Sequence, residues 1–208
     1  MSESLVTAPT NPVLSTAEAK QHLRVTTSTQ DSYIDSKVKA CTLEAENFLG
    51  RKLITQTWKK FFDFFPGYRR GSNAWLSESR NFGTRDCLKI KLPFAPVQSV
   101  THIKYYDVDG DQVTLDSSYY QTDFVKEPCE ISLAVDQAAW PETQLYKVNA
   151  VEIQFVCGYG TNGNNVPENI REAIRYMLGY NYDNRSNDKA VMDSVAEKML
   201  WYERIMEF

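Results

Sequence analysis

The sequence predicts an α+β protein in which helices from both ends of the chain form one bundle and a β-rich segment lies between them. Apolar residues recur at helical spacing near both ends, whereas the residues between them alternate with the period of a strand. Each helical end is too short to bury a core alone, so the two ends are expected to pack on each other. The predicted division is a flexible N-terminal arm over 1–13, a helical core domain over 14–52 plus 164–208, and a mostly antiparallel β-rich insertion over 53–163.

The first two helices are predicted from their end signals. Ser15 and Glu18 have the spacing of a capping box, which opens a short helix reaching about Arg24. A second helix is expected to be capped by Asp31 or Thr29 and to end at about residue 49, because the following Gly50 suits the left-handed conformation that often ends a helix.

The central strands are predicted from a change of period at Thr57. Residues 57–65 place aromatic side chains on both faces of a strand, so this strand is expected to be covered on both sides. Asp109 and Gly110 give the strongest hairpin signal. Further strands are predicted over 88–92, 97–108, 113–115, 119–124, 131–135 and 148–157.

Helical spacing returns near the C-terminus. Pro167 suits a first helical turn and Glu168 complements the helix dipole. Asp188 is placed to cap a last helix, and Leu200 and Trp201 widen its apolar stripe beyond what one neighbouring element needs. This excess predicts contact with another chain.

Composition limits the possible functions. The 208 residues carry 23 Lys and Arg against 27 Asp and Glu, a net charge of −4, which excludes bulk binding of nucleic acid through a strongly basic face. Four scattered cysteines without a CxxC pair predict neither structural zinc nor another cofactor, and no apolar run reaches the roughly 18 residues of a membrane span. The 10 Phe, 12 Tyr and 4 Trp indicate an aromatic core or apolar surface buried against other chains.

The motifs that could carry chemistry have simpler explanations. Gly158, Gly160 and Gly163 match the dinucleotide-binding spacing, but three residues separate them from the next helix and Pro167 removes an amide donor, so a loop leaving the sheet is expected. Residues 107–111 resemble the start of a calcium loop without its bidentate glutamate, and a hairpin turn is expected instead. The two histidines lie in no recognised catalytic motif, so the protein is not expected to be an enzyme. A nucleotide-binding enzyme using the 158–163 loop, or a β-sandwich module that binds glycan or a receptor, is the alternative.

The long loop over 66–86 combines arginine with aromatic residues. This composition suits contact with a protein partner or with DNA, although an exposed, solvated loop would explain it too. The predicted basic contacts are Arg69, Arg70, Arg80 and Arg85.

An ordered series of short motifs resembles the head–tail connector (adaptor) family of long-tailed double-stranded DNA bacteriophages and gene transfer agents. The series spans about residues 14 to 204. It comprises Leu14…Glu18…Lys20…His22-Leu23-Arg24, Ala45-Glu46-Asn47-Phe48-Leu49-Gly50-Arg51, Gln56-Thr57-Trp58, Leu92-Pro93 with Pro96-Val97 and Ser99-Val100, Tyr105-Tyr106-Asp107 with Gly110, Gly158-Tyr159-Gly160, Val166-Pro167, Ile170, Ala173-Ile174 and Tyr182…Asn184-Arg185.

The resemblance implies a structural virion protein made in the host cytoplasm and located in the neck, between capsid and tail. It implies a homo-oligomeric ring of about twelve copies below the portal protein, which extends the DNA channel and offers a docking surface to a stopper or tail-completion protein. Contact with genomic double-stranded DNA would be transient and non-specific, and the acidic net charge suits such a conduit because dense Lys and Arg would hold phosphates.

Two sets of residues are expected to form the interfaces of such a ring, because aromatic residues and arginine dominate binding hot spots. The predicted portal-docking residues are Trp201, Tyr202, Arg204, Ile205 and Phe208. The predicted lateral contacts between copies are Trp58, Phe61, Phe62, Phe64, Phe65, Pro93, Phe94 and Pro96.

Overall fold

The computed structural model describes residues 2–67, 88–144, 147–184 and 189–205, and it confirms an α+β chain. The residues fall into two units. The helical unit combines 8–56 with 158–208, and the β unit combines 1–7 with 57–157. Within the described ranges, none of the helices has the length and apolar character that a membrane span requires.

The helical unit contains α1 (Thr16–Leu23), α2 (Asp31–Leu49), α3 (Glu168–Asp183) and α4 (Lys189–Leu200), followed by a short 3-10 turn over Trp201–Glu203. Helix α1 packs against α2 and α3, and α4 packs against the same two helices. Their buried faces share a core that includes Ile34, Leu49, Ile170, Ile174 and Leu200.

Local signals explain where these helices begin and end. The capping box of α1 is confirmed: Glu18 N donates to Ser15 Oγ, and Ser15 N donates to the Glu18 carboxylate at 2.9 Å. Helix α2 ends at Leu49 as predicted, with Gly50 in the left-handed region at φ 67°. Gln30 precedes α2 without a side-chain cap, so neither Thr29 nor Asp31 serves as the expected capping residue.

In the described residues, the β unit contains two mostly antiparallel sheets. The strands are β1 (Ser2–Thr7), β2 (Gln56–Phe62), β3 (Ile90–Lys91), β4 (Val97–Tyr106), β5 (Gln112–Thr114), β6 (Tyr120–Asp123), β7 (Glu130–Leu133) and β8 (Val151–Cys157). The larger sheet has the order β1-β2-β8-β4-β5 and the smaller one β3-β7-β6. Side chains of alternate residues on β8 are buried, which gives the larger sheet one face in the core.

The β4–β5 hairpin turn forms where Asp109 and Gly110 predicted it. Asp107 Oδ1 accepts hydrogen bonds from Asp109 N at 3.1 Å and from Asp111 N at 2.9 Å. Gly110 has φ 92°, which a residue with a Cβ rarely adopts. The aspartates therefore satisfy backbone amides within a turn.

The flexible arm expected over 1–13 is wrong for residues 2–7, which form β1 and pair with β2 at the edge of the larger sheet. The prediction failed because every residue of β1 is exposed, so the segment carries no pattern of alternating burial. As a result, the β unit is not built from the central segment alone. Strand β2 also ends at Phe62, three residues before the predicted end, and a bend follows.

Candidate assembly interface

The C-terminal segment of the helical unit presents large apolar side chains to solvent. Trp201 is 47% exposed and Tyr202 is 92% exposed, although both follow directly after the buried Leu200. Arg204 is exposed and Ile205 is half-buried, while Phe208 lies outside the described residues. Four of the five predicted docking residues therefore lie in one stretch at the end of the described chain.

One backbone hydrogen bond and two side-chain hydrogen bonds hold this segment in place. Ile205 N donates to Leu49 O at 3.0 Å, and Arg51 Nε donates to Glu203 O at 2.5 Å. The Glu203 carboxylate accepts from Asn169 Nδ2 at 2.9 Å. These hydrogen bonds fix the chain just after Tyr202 and the buried Leu200 fixes it just before, so the Tyr202 side chain is displayed from an ordered backbone.

Phe48 joins the predicted docking residues in space. The Arg204 guanidinium lies 5.1 Å from the centroid of the Phe48 ring and 5.8 Å from that of Trp201, which are cation–π distances. Sequence reasoning missed Phe48 as part of this surface because it lies more than 150 positions from Arg204. The available signal was its place in the last turn of α2, two residues before Gly50.

A buried carboxylate orders the chain after α2. Glu46 accepts hydrogen bonds from Lys52 Nζ at 3.0 Å and from Leu53 N at 3.0 Å. Both ends of the Glu46–Lys52 ion pair are largely buried. The pair thus fixes the turn that carries Arg51, the residue that holds Glu203 O.

In the β unit, the structure brings together two of the predicted lateral residues. The Trp58 and Phe94 rings lie 4.7 Å apart with a tilt of 53°, and both side chains are half-buried. Phe94 has φ 65°, a left-handed conformation that is uncommon for an aromatic residue and is found mainly where tertiary structure enforces it.

Phe65 is a core residue, which corrects its assignment to a lateral interface. It is 1% exposed and stacks on Trp140 with ring centroids 5.0 Å apart and an interplanar angle of 5°. The bend after β2 changes the alternation of faces, so Phe65 turns inward while Phe64 remains 51% exposed. The other predicted lateral residues, Phe61, Phe62, Pro93 and Pro96, are half-buried.

A charged cluster crosses three strands of the larger sheet. Glu152 on β8 accepts from Lys59 Nζ on β2 at 2.9 Å and contacts His102 Nε2 on β4 at 3.1 Å. Burial opposes ionisation of Glu152, but the hydrogen bonds and charges of Lys59 and His102 outweigh it and lower the pKa of this carboxyl. His102 thus has a structural partner, which accounts for its position.

The glycines of the 158–163 loop contact the protein's own backbone. A Cβ at Gly158, where φ is 122°, would lie 2.6 Å from the Ile54 carbonyl, and one at Gly163 would lie 2.0 Å from Val13 O. Tyr159 N also donates to Leu53 O at 3.0 Å. This close packing explains the glycine spacing without a nucleotide.

The remaining polar candidates form no evident site in the described ranges. Cys41, Cys129 and Cys157 are buried cysteines, and no group of His, Cys, Asp and Glu in the described ranges could hold a metal ion. Burial, with the charges of Asp123 and Glu130, raises the pKa of Cys129 to about 11. The four arginines of the predicted basic loop, Arg69, Arg70, Arg80 and Arg85, lie outside the described residues.

Comparison with known proteins adds a family and a fold. The family model of the phage gp6-like head-tail connector proteins matches residues 15–127. Among curated proteins, no sequence matches this chain.

Three solved structures share the fold at 20–21% sequence identity, and each alignment covers 100% of this chain and 97% of the other. They are the neck of an empty gene transfer agent (GTA) particle computed with C6 symmetry, the virion of a native GTA particle, and the neck of a native GTA particle computed with C12 symmetry. The TM-scores are 0.73, 0.73 and 0.66, respectively.

Proposed function

Because the chain belongs to the family of phage gp6-like head-tail connector proteins, a structural connector role follows, and we propose that it fills this role as a ring in the virion neck. The ring, of about twelve copies, lies below the portal protein, prolongs the DNA channel and offers its far side to a stopper or tail-completion protein. In this arrangement the helical core domain, built from the segments 8–56 and 158–208, carries the β-rich part as an insertion to which β1 is added. The family match is the observation that carries the proposal.

The symmetry of similar structures supports a ring. Two chains with this fold belong to GTA necks computed with C6 and C12 symmetry. A closed ring needs two different surfaces on each copy, one that meets the copy on the left and one that meets the copy on the right. The half-buried aromatic residues of the β unit, led by the Trp58–Phe94 pair, are proposed as one side of that lateral contact. Phe61, Phe62, Phe64, Pro93 and Pro96 complete the proposed set.

The C-terminal segment is proposed as the portal-docking surface. Tyr202 and Trp201 are exposed on a backbone held by hydrogen bonds at Leu49 and Arg51, so the backbone here loses little conformational entropy on binding. An aromatic pair beside an arginine is the composition typical of an interface hot spot. Arg204, Ile205 and Phe208 are proposed to complete this surface, with the basic loop as a further contact to a partner or to DNA.

The charge of the chain fits a DNA conduit. A net charge of −4 leaves few surplus cations to bind phosphates, so DNA passing through the ring would make only transient contacts. Tight binding would require release of many counterions from DNA by clustered Lys and Arg, and it would slow passage of the genome.

A pair of tyrosine variants tests the proposal. Tyr202→Ala removes a side chain that is almost fully exposed, so the free energy of unfolding is expected to change by less than about 0.5 kcal/mol. If Tyr202 is a docking hot spot worth at least about 2 kcal/mol, affinity for the portal protein falls about 30-fold or more. The matched control is Tyr176→Ala, which removes another exposed tyrosine, on α3. Binding to immobilised portal protein measures both. Equal affinities of the two variants would contradict this docking surface, and failure of the wild-type chain to bind would contradict the proposed ring.

A further inference from the structure

Strand β1 is attached to its sheet in an unusual way. All six of its residues are exposed, and Leu5 and Val6 retain 45% and 47% of their accessible surface. Within the described part of the chain, one side-chain hydrogen bond leaves the strand, from Ser2 Oγ to Asn149 Oδ1 at 3.4 Å. The strand is therefore held mainly by its backbone ladder with β2, since it places no side chain in the core.

The ladder itself is well matched over residues 2–5, and a register shift between Leu5 and Thr7 precedes its last pair. Glu3 lies opposite Lys60, Ser4 opposite Lys59, and Leu5 opposite Trp58 in an antiparallel register. These pairs place an acidic residue beside basic ones and an apolar residue beside an aromatic one. Such complementarity depends only on the two strand sequences, so β1 of a second copy would satisfy β2 equally well.

A short exposed connection separates β1 from the helical unit. Residues 8–12 are all exposed and include Pro9 and Pro12, which favour extended backbone. The chain is fastened again at Asn11, whose Nδ2 donates to Thr161 O at 2.9 Å, and at the buried Val13 and Leu14. A proline-containing connection between a peripheral strand and a firmly anchored core is a hinge of the kind found in exchanged strands.

We propose that β1 of each copy pairs with β2 of the neighbouring copy in the assembled ring, an inference that rests on the proposed function. Exchange keeps every backbone hydrogen bond and cross-strand pair of the β1–β2 ladder, but each of these contacts then joins two neighbouring copies instead of two strands of one copy. The donated strand and the receiving edge are different surfaces, as a cyclic ring requires. The receiving strand carries Trp58, Phe61 and Phe62, so the exchanged strand would form part of the lateral contact.

A disulfide across the ladder distinguishes exchange from pairing within one copy. Thr7 and Thr57 are opposite each other, and opposed residues of antiparallel strands have the Cα spacing that a disulfide needs. The Thr7→Cys/Thr57→Cys double variant is assembled on portal protein, oxidised, and run on a denaturing gel without reductant. Each single variant serves as the control for cross-links through the native cysteines.

Exchange predicts covalent multimers, from dimers up to the full ring, for the double variant and not for the single variants. Rings whose disulfides all lie within single copies, or that form no disulfide, would overturn the exchange and leave the proposed function standing. Failure of the wild-type chain to form a ring on portal would overturn both. Deletion of residues 2–7 gives a second test. The truncated chain is expected to stay folded and to lose ring assembly, and normal assembly would overturn the exchange.

Discussion

Replacing Gly158 with alanine tests whether the glycine loop serves packing or ligand binding. The backbone of Gly158 has φ 122°, a conformation that costs a residue with a side chain about 1–3 kcal/mol. The new Cβ would also lie 2.6 Å from Ile54 C and O and 2.7 Å from Thr55 N, inside the closest approach of such atoms. Relief of this overlap must move backbone, because no flexible side chain is involved.

The size of the effect follows from what that movement disturbs. Tyr159 N donates to Leu53 O at 3.0 Å and Thr55 N donates to Gly160 O at 2.9 Å. Each such bond contributes about 1 kcal/mol net, so with the backbone strain the variant is expected to lose about 3–5 kcal/mol of unfolding free energy. For a chain of this length, 1 kcal/mol shifts the melting temperature by about 2–4 °C, which predicts a fall of at least about 6 °C.

Differential scanning calorimetry measures the shift, with Gly179→Ala as the matched control. Gly179 lies within α3, where alanine is favoured, and its Cβ would meet His22 Nε2 at 3.4 Å. The control is therefore expected to melt close to the wild type. A Gly158→Ala protein that melts like wild type, or a wild-type chain that dinucleotides stabilise by several degrees, would refute the structural role of this loop.

Three further variants or reagents test other parts of the structure. Phe65→Ala should cost about 3–5 kcal/mol of unfolding free energy because it leaves a cavity beside Trp140, whereas the exposed Phe64→Ala should cost little. Similar melting temperatures for the two variants would contradict the burial of Phe65. Glu152→Gln should lower the melting temperature more at pH 7 than near pH 3. The pKa of the Glu152 carboxyl is lower in the folded protein than in the unfolded chain, so the stability it contributes is present above the unfolded pKa and is lost as the pH falls. The exposed Glu142→Gln is its control, and a pH-independent deficit would count against the Lys59–Glu152 pair. With a pKa of about 11, Cys129 should resist alkylation at pH 8 until denaturant is added, as followed by peptide mass spectrometry; fast labelling of the native protein would contradict its burial.

Sequence patterns predicted the elements that local chemistry determines. The Ser15–Glu18 capping box and the Gly50 terminus depend on residues within one helical turn, so their positions could be read directly. The turn at Gly110 is local in the same sense. Helix boundaries near such signals were therefore predicted to within a residue or two.

Features that depend on distant residues could not be predicted in this way. Residues 2–7 form a strand only because β2, some fifty positions later, offers its edge, and no buried side chain marks them in the sequence. Phe65 turns inward because a bend interrupts the alternation after Phe62. The contact of Phe48 with Arg204 likewise arises from the folding together of both chain ends. Surfaces that contact a partner are harder still to predict, since the exposure of a residue does not say which chain covers it.

Native mass spectrometry of the full chain mixed with purified portal protein tests the ring directly. The connector role predicts one dominant complex in which a closed ring of about twelve copies is bound to one portal ring. In the absence of portal protein, the chain need not form this ring. The mixture is measured at concentrations high enough to saturate a connector–portal interface. Masses that correspond only to free portal and free chain would then contradict assembly of this protein on the portal.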